Sequence, residues 1–313
     1  MSAGIRIPAA GFTAPRYWPA WLLWKTLRLT HGMPLRWHRR AGTVIGTLLR
    51  WLLPRQRRIA RINLELCFPE LSAGERKRLL RAHFAALGMS FLEMGIAWFS
   101  PIERIRSLVE VHGFEHLELA VRSGRPLLLW GAHFTCLEVG VRILEDLDTR
   151  CATMHRPQRN ALLDKMIETG RSHFADDQIP RDSIRRLLTR LREGFTVVYF
   201  PDQTYVGNQA ELIPFFGEPA ATNTAASRLA MRADAQILTY FYRRLPDDQG
   251  YRVDIGPPLA DLPSADPVSD ARRLFAELER HIRLAPEQYV WTYKKFKRRP
   301  ASWPDPYRDA KDA

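Results

Sequence analysis

Residues 126–140 read PLLLWGAHFTCLEVG, and the fold turns on how this stretch is understood. Leu127 to Trp130 is a short continuous apolar run that reads as a buried strand, and Gly131 permits a sharp exit from it. Similar runs recur at Cys151 to Met154, Thr196 to Phe200, Ile237 to Tyr242 and Tyr251 to Ile255. Between and after them, residues 159–174, 182–193 and 270–284 have helical patterning. Strands alternating with helices of about 10 to 15 residues predict an α/β fold: a single catalytic domain with a central mixed β-sheet flanked by helices.

Working outward, the chain of 313 residues divides into four stretches. Residues 1–55 are expected to hold N-terminal membrane-associated helices, 56–107 a helical lead-in packed on the catalytic domain, 108–299 the α/β domain and 300–313 a polar tail. In the lead-in, Ser72 and Glu75 have capping-box spacing, and Leu80, Phe84, Leu87 and Phe91 form an apolar stripe. In the first stretch, residues 17–53 mix Trp, Tyr and Leu with Lys25, Arg28, Arg36, Arg39, Arg40 and Arg50. The longest uncharged run there, Ala41 to Leu49, is short of the roughly 20 residues a bilayer crossing needs. Ile45, Leu48, Leu49 and Leu52 share one helical face, so the segment reads as an interfacial anchor at the membrane surface, with a strained single pass as the other possibility.

Composition narrows the partners. Lys and Arg total 47 against 34 Asp and Glu, a net charge of +13, which favours anionic partners. No helix-turn-helix, RNP pattern or zinc finger is present, so nucleic acid is not expected. An anionic lipid or an acidic carrier protein fits better. Cys67, Cys136 and Cys151 have neither metal-site spacing nor an even count for a disulfide framework, and Arg6 is not followed by the long apolar core of a cleaved signal peptide. Neither a metal nor a cofactor is expected.

His133 and Glu138 stand five positions apart. Among nine histidines and 34 acids, about one His-x4-acid match is expected by chance, so context has to supply the weight. Five residues on a regular helix lie about 140° apart, and the pair could meet only across a strand end and turn. An imidazole at the carboxyl end of a strand sits where α/β folds place their sites, and a carboxylate beside it would raise its basicity. A second strand, FTVVYFPDQT at 195–204, ends in Asp202, Gln203 and Thr204 at what would be the same sheet edge. MHRPQRN at 154–160 offers Arg156 and Arg159 as anion binders. In IPFFGEPAATNTAAS at 213–227, small and hydroxyl residues follow Pro219, as expected of backbone close to a ligand, with Asn223 as a candidate contact.

Taken in order, RINLELCFP, GAHFTCLE, HRPQRN, FPDQT, PFFGEPAATNT and APEQYVWTYKKFKRRP resemble the lipid A late acyltransferases, the lauroyl and myristoyl transferases of Gram-negative bacteria. These belong to the lysophospholipid acyltransferase superfamily, whose signature is H-x4-[DE]. The likeness runs from about Tyr17 to Pro300. It implies transfer of an acyl chain from acyl carrier protein to the hydroxyl of a 3-hydroxyacyl chain on a Kdo-bearing lipid A precursor, at the cytoplasmic face of the inner membrane. His133 would be the base and Glu138 its acidic partner, with Arg156 binding phosphate or the oxyanion. Asp202 stands where many superfamily members carry Glu in F-P-E-G, and Gln203 at the glycine. The basic run Lys294, Lys295, Lys297, Arg298 and Arg299 would meet headgroups or carrier protein, or be a solvated face.

Three other readings stay open at this point: an acyltransferase of the same superfamily acting on a lysophospholipid or other lipid, a hydrolase using Cys136 with His133, and a membrane-binding scaffold without activity.

Overall fold

The computed structural model describes residues 7, 11–147, 149–204, 210–298 and 303–308. Arg6, Arg299 and most of the expected tail lie outside them. The N-terminal part is helical: α1 (Trp18–Thr30), α2 (Leu35–Leu52), α3 (Pro54–Cys67), α4 (Ala73–Phe99) and α5 (Ile102–Leu108). There follow β1 (Val109–His112), α6 (Phe114–Arg122), β2 (Leu127–Gly131), α7 (Leu137–Arg142), β3 (Cys151–His155), α8 (Ala161–Arg171), β4 (Asp177–Pro180), α9 (Ile184–Arg192) and β5 (Thr196–Tyr199). A hairpin of β6 (Ala210–Phe215) and β7 (Glu218–Asn223) leads to α10 (Ala225–Ala233), β8 (Gln236–Arg244), β9 (Tyr251–Ile255) and α11 (Pro267–Leu284).

Seven strands form one sheet in the order β1-β9-β8-β2-β5-β3-β4. All neighbours are parallel except β8 and β9, which makes the sheet mixed, as expected. Every residue of β2 is buried, because this strand lies mid-sheet with helices on both faces. The strands missed by sequence pattern are short or at the margins. β1 and β4 are four-residue edge strands, and the β6–β7 hairpin carries Pro214 and Pro219. Its two-residue turn places Phe216 at φ 53° and Gly217 at φ 79°, a left-handed pair more often signalled by Asn-Gly.

The capping box at Ser72 and Glu75 is formed and starts α4. Among the described residues α4 is the helix long and apolar enough to cross a membrane, yet 56% of that apolar window is buried inside the protein. It is the post on which α1 and α2 lean. α2 does not pack by its leucines alone, although Leu35 and Leu49 rest partly buried against the core. Its buried residues are His38, Gly42 and Gly46, and a Cβ at Gly88 of α4 would lie 2.0 Å from the Gly42 carbonyl oxygen. This glycine seam brings the two backbones together. Ile45 and Leu49 are half-buried, while Trp37, Val44, Leu48, Trp51 and Leu52 are exposed. On α1, Trp18, Leu22 and Leu29 are exposed as well.

Buried imidazoles tie this packing to pH. Burial lowers the pKa of His31, His38, His83, His173 and His281, reaching about 4 in His83 and His281. His83 donates through Nδ1 to the Glu287 carbonyl at 3.0 Å, and its Nε2 is without a partner. The unfolded chain takes up protons at these sites near pH 6.5 and the folded chain does not, so stability rises with pH across the window. It is fully present above pH 6.5 and declines toward pH 4, by ~3 kcal/mol each for His83 and His281. Thermal melts between pH 7.5 and 4.5 should show a steady fall in Tm, and a constant Tm would contradict this account.

Candidate active site

Strand register brings two side chains together that are 69 residues apart in the chain. β2 and β5 are parallel neighbours in which Trp130 pairs with Tyr199. Each chain runs three residues further, to His133 and to Asp202. Their juxtaposition at the carboxyl edge of the sheet follows from that register. Gly131 serves a different purpose from the sharp turn expected of it: a Cβ there would lie 2.5 Å from both the Tyr240 carbonyl oxygen and the Phe200 ring. Its smallness lets the chain leave β2 between those groups.

His133 Nδ1 lies 2.6 Å from Asp202 Oδ1, and the His133 main-chain N–H donates to Oδ2 at 3.1 Å. Tyr289 donates its hydroxyl to the same Oδ2 at 3.1 Å. Asp202 is 1% exposed and the His133 side chain 34% exposed. The carboxylate is thus sealed and the imidazole is reachable. An acidic partner at Nδ1 holds the proton there and leaves the Nε2 lone pair for a reacting group. Burial works to lower the His133 pKa, but the charge and hydrogen bond of Asp202 outweigh it and the net shift is upward. Burial works to raise the Asp202 pKa, and His133 reverses this, so the carboxyl is held below its usual range.

The loop carrying His133 is clamped from behind. Phe134 bridges Tyr289 in antiparallel fashion, Val290 N–H donates to the His133 carbonyl at 3.1 Å, and Thr135 N–H donates to the Gln288 carbonyl at 2.8 Å. Gln288 Oε1 accepts from the Arg244 N–H at 2.7 Å, and the Arg244 guanidinium donates to Thr135 Oγ1 at 2.8 Å. Arg244 in turn is paired with the carboxylate of Glu93 in α4. Arg244 therefore holds both sides of the clamp, Gln288 through its main chain and Thr135 through its ion-paired guanidinium.

The acid that meets His133 is not Glu138. Glu138 lies in the first turn of α7, and its carboxylate accepts from Arg171 Nε of α8 at 3.1 Å and from Trp98 Nε1 of α4 at 3.0 Å. The angular separation along a turn and helix start carries it away from the imidazole and toward the helical layer. The pairing expected from the His-x4-Glu spacing is corrected to His133 with Asp202, and Glu138 joins three helices instead.

Asn63, His133, Asp202, Gln203, Tyr289, Val290, Tyr293 and Lys295 line a cavity of about 10 Å³, room for about one water. Gln203 lies in its wall. Arg156 and Arg159 are exposed on the loop after β3. Burial raises the Tyr293 pKa, and the charges of Arg181 and Arg156 oppose it, which sets Arg156 within electrostatic reach of the cavity wall. Asn223 does not line the cavity: its amide donates to the Tyr199 hydroxyl at 3.1 Å and its Oδ1 accepts from Ala225 N–H at 2.8 Å. It starts α10. Cys136 is buried, its thiol pushed up to about 12 and directed at Gln288 Oε1, so it is no nucleophile. Of the basic run, Lys297 and Arg298 are exposed but Lys295 is buried.

Sequence reading missed Asn63, Tyr289, Tyr293 and Lys295. Asn63 had a signal: a poor helix former between Ile62 and Leu64 inside a helix. Its amide donates to the carbonyls of Trp291 and Tyr293 at 2.7 and 2.8 Å, and its Oδ1 accepts from the Tyr307 hydroxyl. Arg58 donates to the Tyr307 carbonyl at 2.9 Å.

Comparison with known proteins places the chain in a family. A family model described as bacterial lipid A biosynthesis acyltransferase matches residues 9–298. The chain belongs to that family. It is 35% identical to the lipid A biosynthesis lauroyltransferase of Escherichia coli strain K12 over 94% of this chain and 96% of the relative. It is 36% identical to the lipid A biosynthesis palmitoleoyltransferase of the same strain, covering 92% and 94%. Among solved structures, the 1-acyl-sn-glycerophosphate acyltransferase of Thermotoga maritima aligns at 11% identity and a TM-score of 0.38, over 80% of this chain and 99% of that one. That likeness is too loose to add to the fold read directly from the sheet. The lipid A acyltransferase assignment makes the protein a transferase, and the His133–Asp202 cavity is its candidate reaction centre.

Proposed function

We propose that this acyltransferase moves a fatty acyl chain from an acyl carrier protein thioester to the hydroxyl of a 3-hydroxyacyl chain on a Kdo-bearing lipid A precursor. The observation that carries the mechanism is the 2.6 Å contact between His133 Nδ1 and a sealed Asp202 carboxylate. His133 Nε2 takes the proton of the acceptor hydroxyl as its oxygen attacks the thioester carbonyl. The tetrahedral intermediate collapses with loss of the thiolate, which recovers the proton from the imidazolium. Asp202 stays ionised and stabilises that imidazolium. The bonds balance with one C–O formed and one C–S broken, so the step needs no oxidant or reductant.

The net charge of +13 suits an acceptor bearing phosphates and carboxylates and an acidic donor protein, with Arg156 exposed within electrostatic reach of Tyr293 and Arg159 exposed on the same loop. The outward apolar residues of α1 and α2, interleaved with Lys25, Arg28, Arg36, Arg40 and Arg50, suit a helix pair lying in the headgroup layer at the cytoplasmic face of the inner membrane.

Detergent-purified protein should acylate a labelled tetra-acyl Kdo-bearing precursor from lauroyl, palmitoleoyl or myristoyl carrier protein, and the His133→Ala variant should give no product above background. Acylation of a lysophospholipid alone would remove the acceptor assignment and leave the chemistry in place. Full activity in His133→Ala would remove the base assignment.

A further inference from the structure

We propose that Lys295 is a positioning residue for the reaction centre: its ammonium grips the main-chain carbonyl of Asp202 and adds positive charge behind the Asp202 carboxylate that holds His133. The proposal rests on the general-base reading of His133.

Lys295 is the exception in a basic run. It is 2% exposed, whereas Lys294 is half-buried and Lys297 exposed. Its Nζ donates to the Asp202 carbonyl oxygen at 2.7 Å and lies over the faces of Phe215 and Phe275, 5.0 and 4.5 Å from the ring centroids. An ammonium sunk among aromatic rings loses hydration, and Met would fill the same volume without that cost. The charge is held there at an expense that packing alone does not require. What it touches is the residue that holds His133, and the amine lines the same cavity as the imidazole.

The charges facing Lys295 are Asp202 from the end of β5 and Glu279 from α11, beside the Cys67 thiol of α3, which burial keeps protonated. Burial pushes the amine down to about 8, against the pull of the two carboxylates. The effect on Asp202 is reciprocal. Burial raises the Asp202 pKa, His133 lowers it, and Lys295 lowers it further. On the other side of the pair, Arg171 opposes protonation of His133. The ammonium is therefore present at neutral pH and is lost as pH rises through about 8. Without it, the carboxylate and imidazole retain their shared proton more tightly, and less His133 is free to act as base.

Two readouts test this on full-length protein in detergent micelles. The first needs no turnover: the His133 ring is titrated by NMR in histidine-labelled protein, its signal identified by loss in His133→Gln. In Lys295→Met the His133 titration should move up by about one pH unit. The second is the pH dependence of kcat and KM for acyl transfer. In Lys295→Met, kcat should fall roughly 10-fold or more with KM little changed, because a misplaced base forfeits part of the about 10²–10⁴ that proton transfer contributes. The wild-type alkaline limb near pH 8 should also disappear. A folded Lys295→Met protein with an unmoved His133 titration and an unchanged rate profile overturns the proposal. Should that variant not fold, a wild-type rate flat from pH 7 to about 9.5 overturns it equally. Wild type that transfers no acyl chain to any acceptor would instead sink the activity reading, and the NMR titration would still decide the coupling of Lys295 to His133.

Discussion

Asp202→Asn is expected to lower kcat by about 10⁴-fold, with KM and thermal stability little changed, as steady-state acyl-transfer kinetics and thermal melts will read directly. An amide in that place cannot stabilise an imidazolium, and it offers an N–H where an acceptor is needed. The imidazole is then driven toward the tautomer with its lone pair aimed at the side chain and its proton aimed at the substrate. The Tyr289 hydroxyl and the His133 main-chain N–H still find an oxygen on the amide, and this preserves the fold. Glu138→Gln separates the two acids. It leaves the Arg171 guanidinium, largely buried, with a neutral partner, so the cost falls first on the packing of α4, α7 and α8. The expected result is a lower Tm, with the remaining activity keeping the wild-type pH profile. A Glu138→Gln protein of unchanged stability whose acid limb has shifted would return Glu138 to the reaction centre.

Arg244→Met has the second large effect. Glu93 and Arg244 are both almost fully buried, and Glu93 also accepts from the Tyr251 hydroxyl at 2.9 Å. Removing one member of such a pair leaves an uncompensated charge and costs about 3–5 kcal/mol. It also removes the guanidinium hydrogen bond to Thr135 Oγ1 on the His133 loop, while Gln288 stays on the Arg244 main chain. Denaturant melts should show the loss of stability, and activity measured well below the new Tm should still be reduced through kcat. Replacing Glu93 by Gln together with Arg244→Met should recover part of the stability and none of the clamp. A single variant with wild-type kcat would show that the clamp does not matter for turnover.

What the amino-acid order revealed and what it hid follow from the range of the interactions concerned. β2, β5 and β9 were legible because burial on both faces, or regular alternation, leaves a local imprint. The capping box of α4 is a contact three residues long and was equally plain. The β6–β7 hairpin was hidden by its prolines and by a phenylalanine at a left-handed turn position. His133 was found because it follows the plainest strand. Its partner was misassigned because a five-residue spacing is visible in a sequence, and a register between strands 69 residues apart is not. Lys295 was hidden for the opposite reason: it stands among other lysines and arginines that do face solvent. On α2 the four apolar residues expected to share one interfacial face are split, Ile45 and Leu49 half-buried and Leu48 and Leu52 exposed, and the closest packing is made by glycines, which carry no hydrophobic signal at all.

Asn63 lines the reaction cavity near one end of the chain and takes its last hydrogen bond from Tyr307 near the other. The closing residues thus brace a residue of the cavity wall from behind, although nothing in their composition advertises it. When genomes are surveyed for intact members of this group, a gene that ends soon after the KKFKRR segment would keep every residue of the recognisable motifs and still lack the hydroxyl that holds the Asn63 amide oxygen. Judging such genes requires reading past the last motif to the aromatic residue that makes this bond.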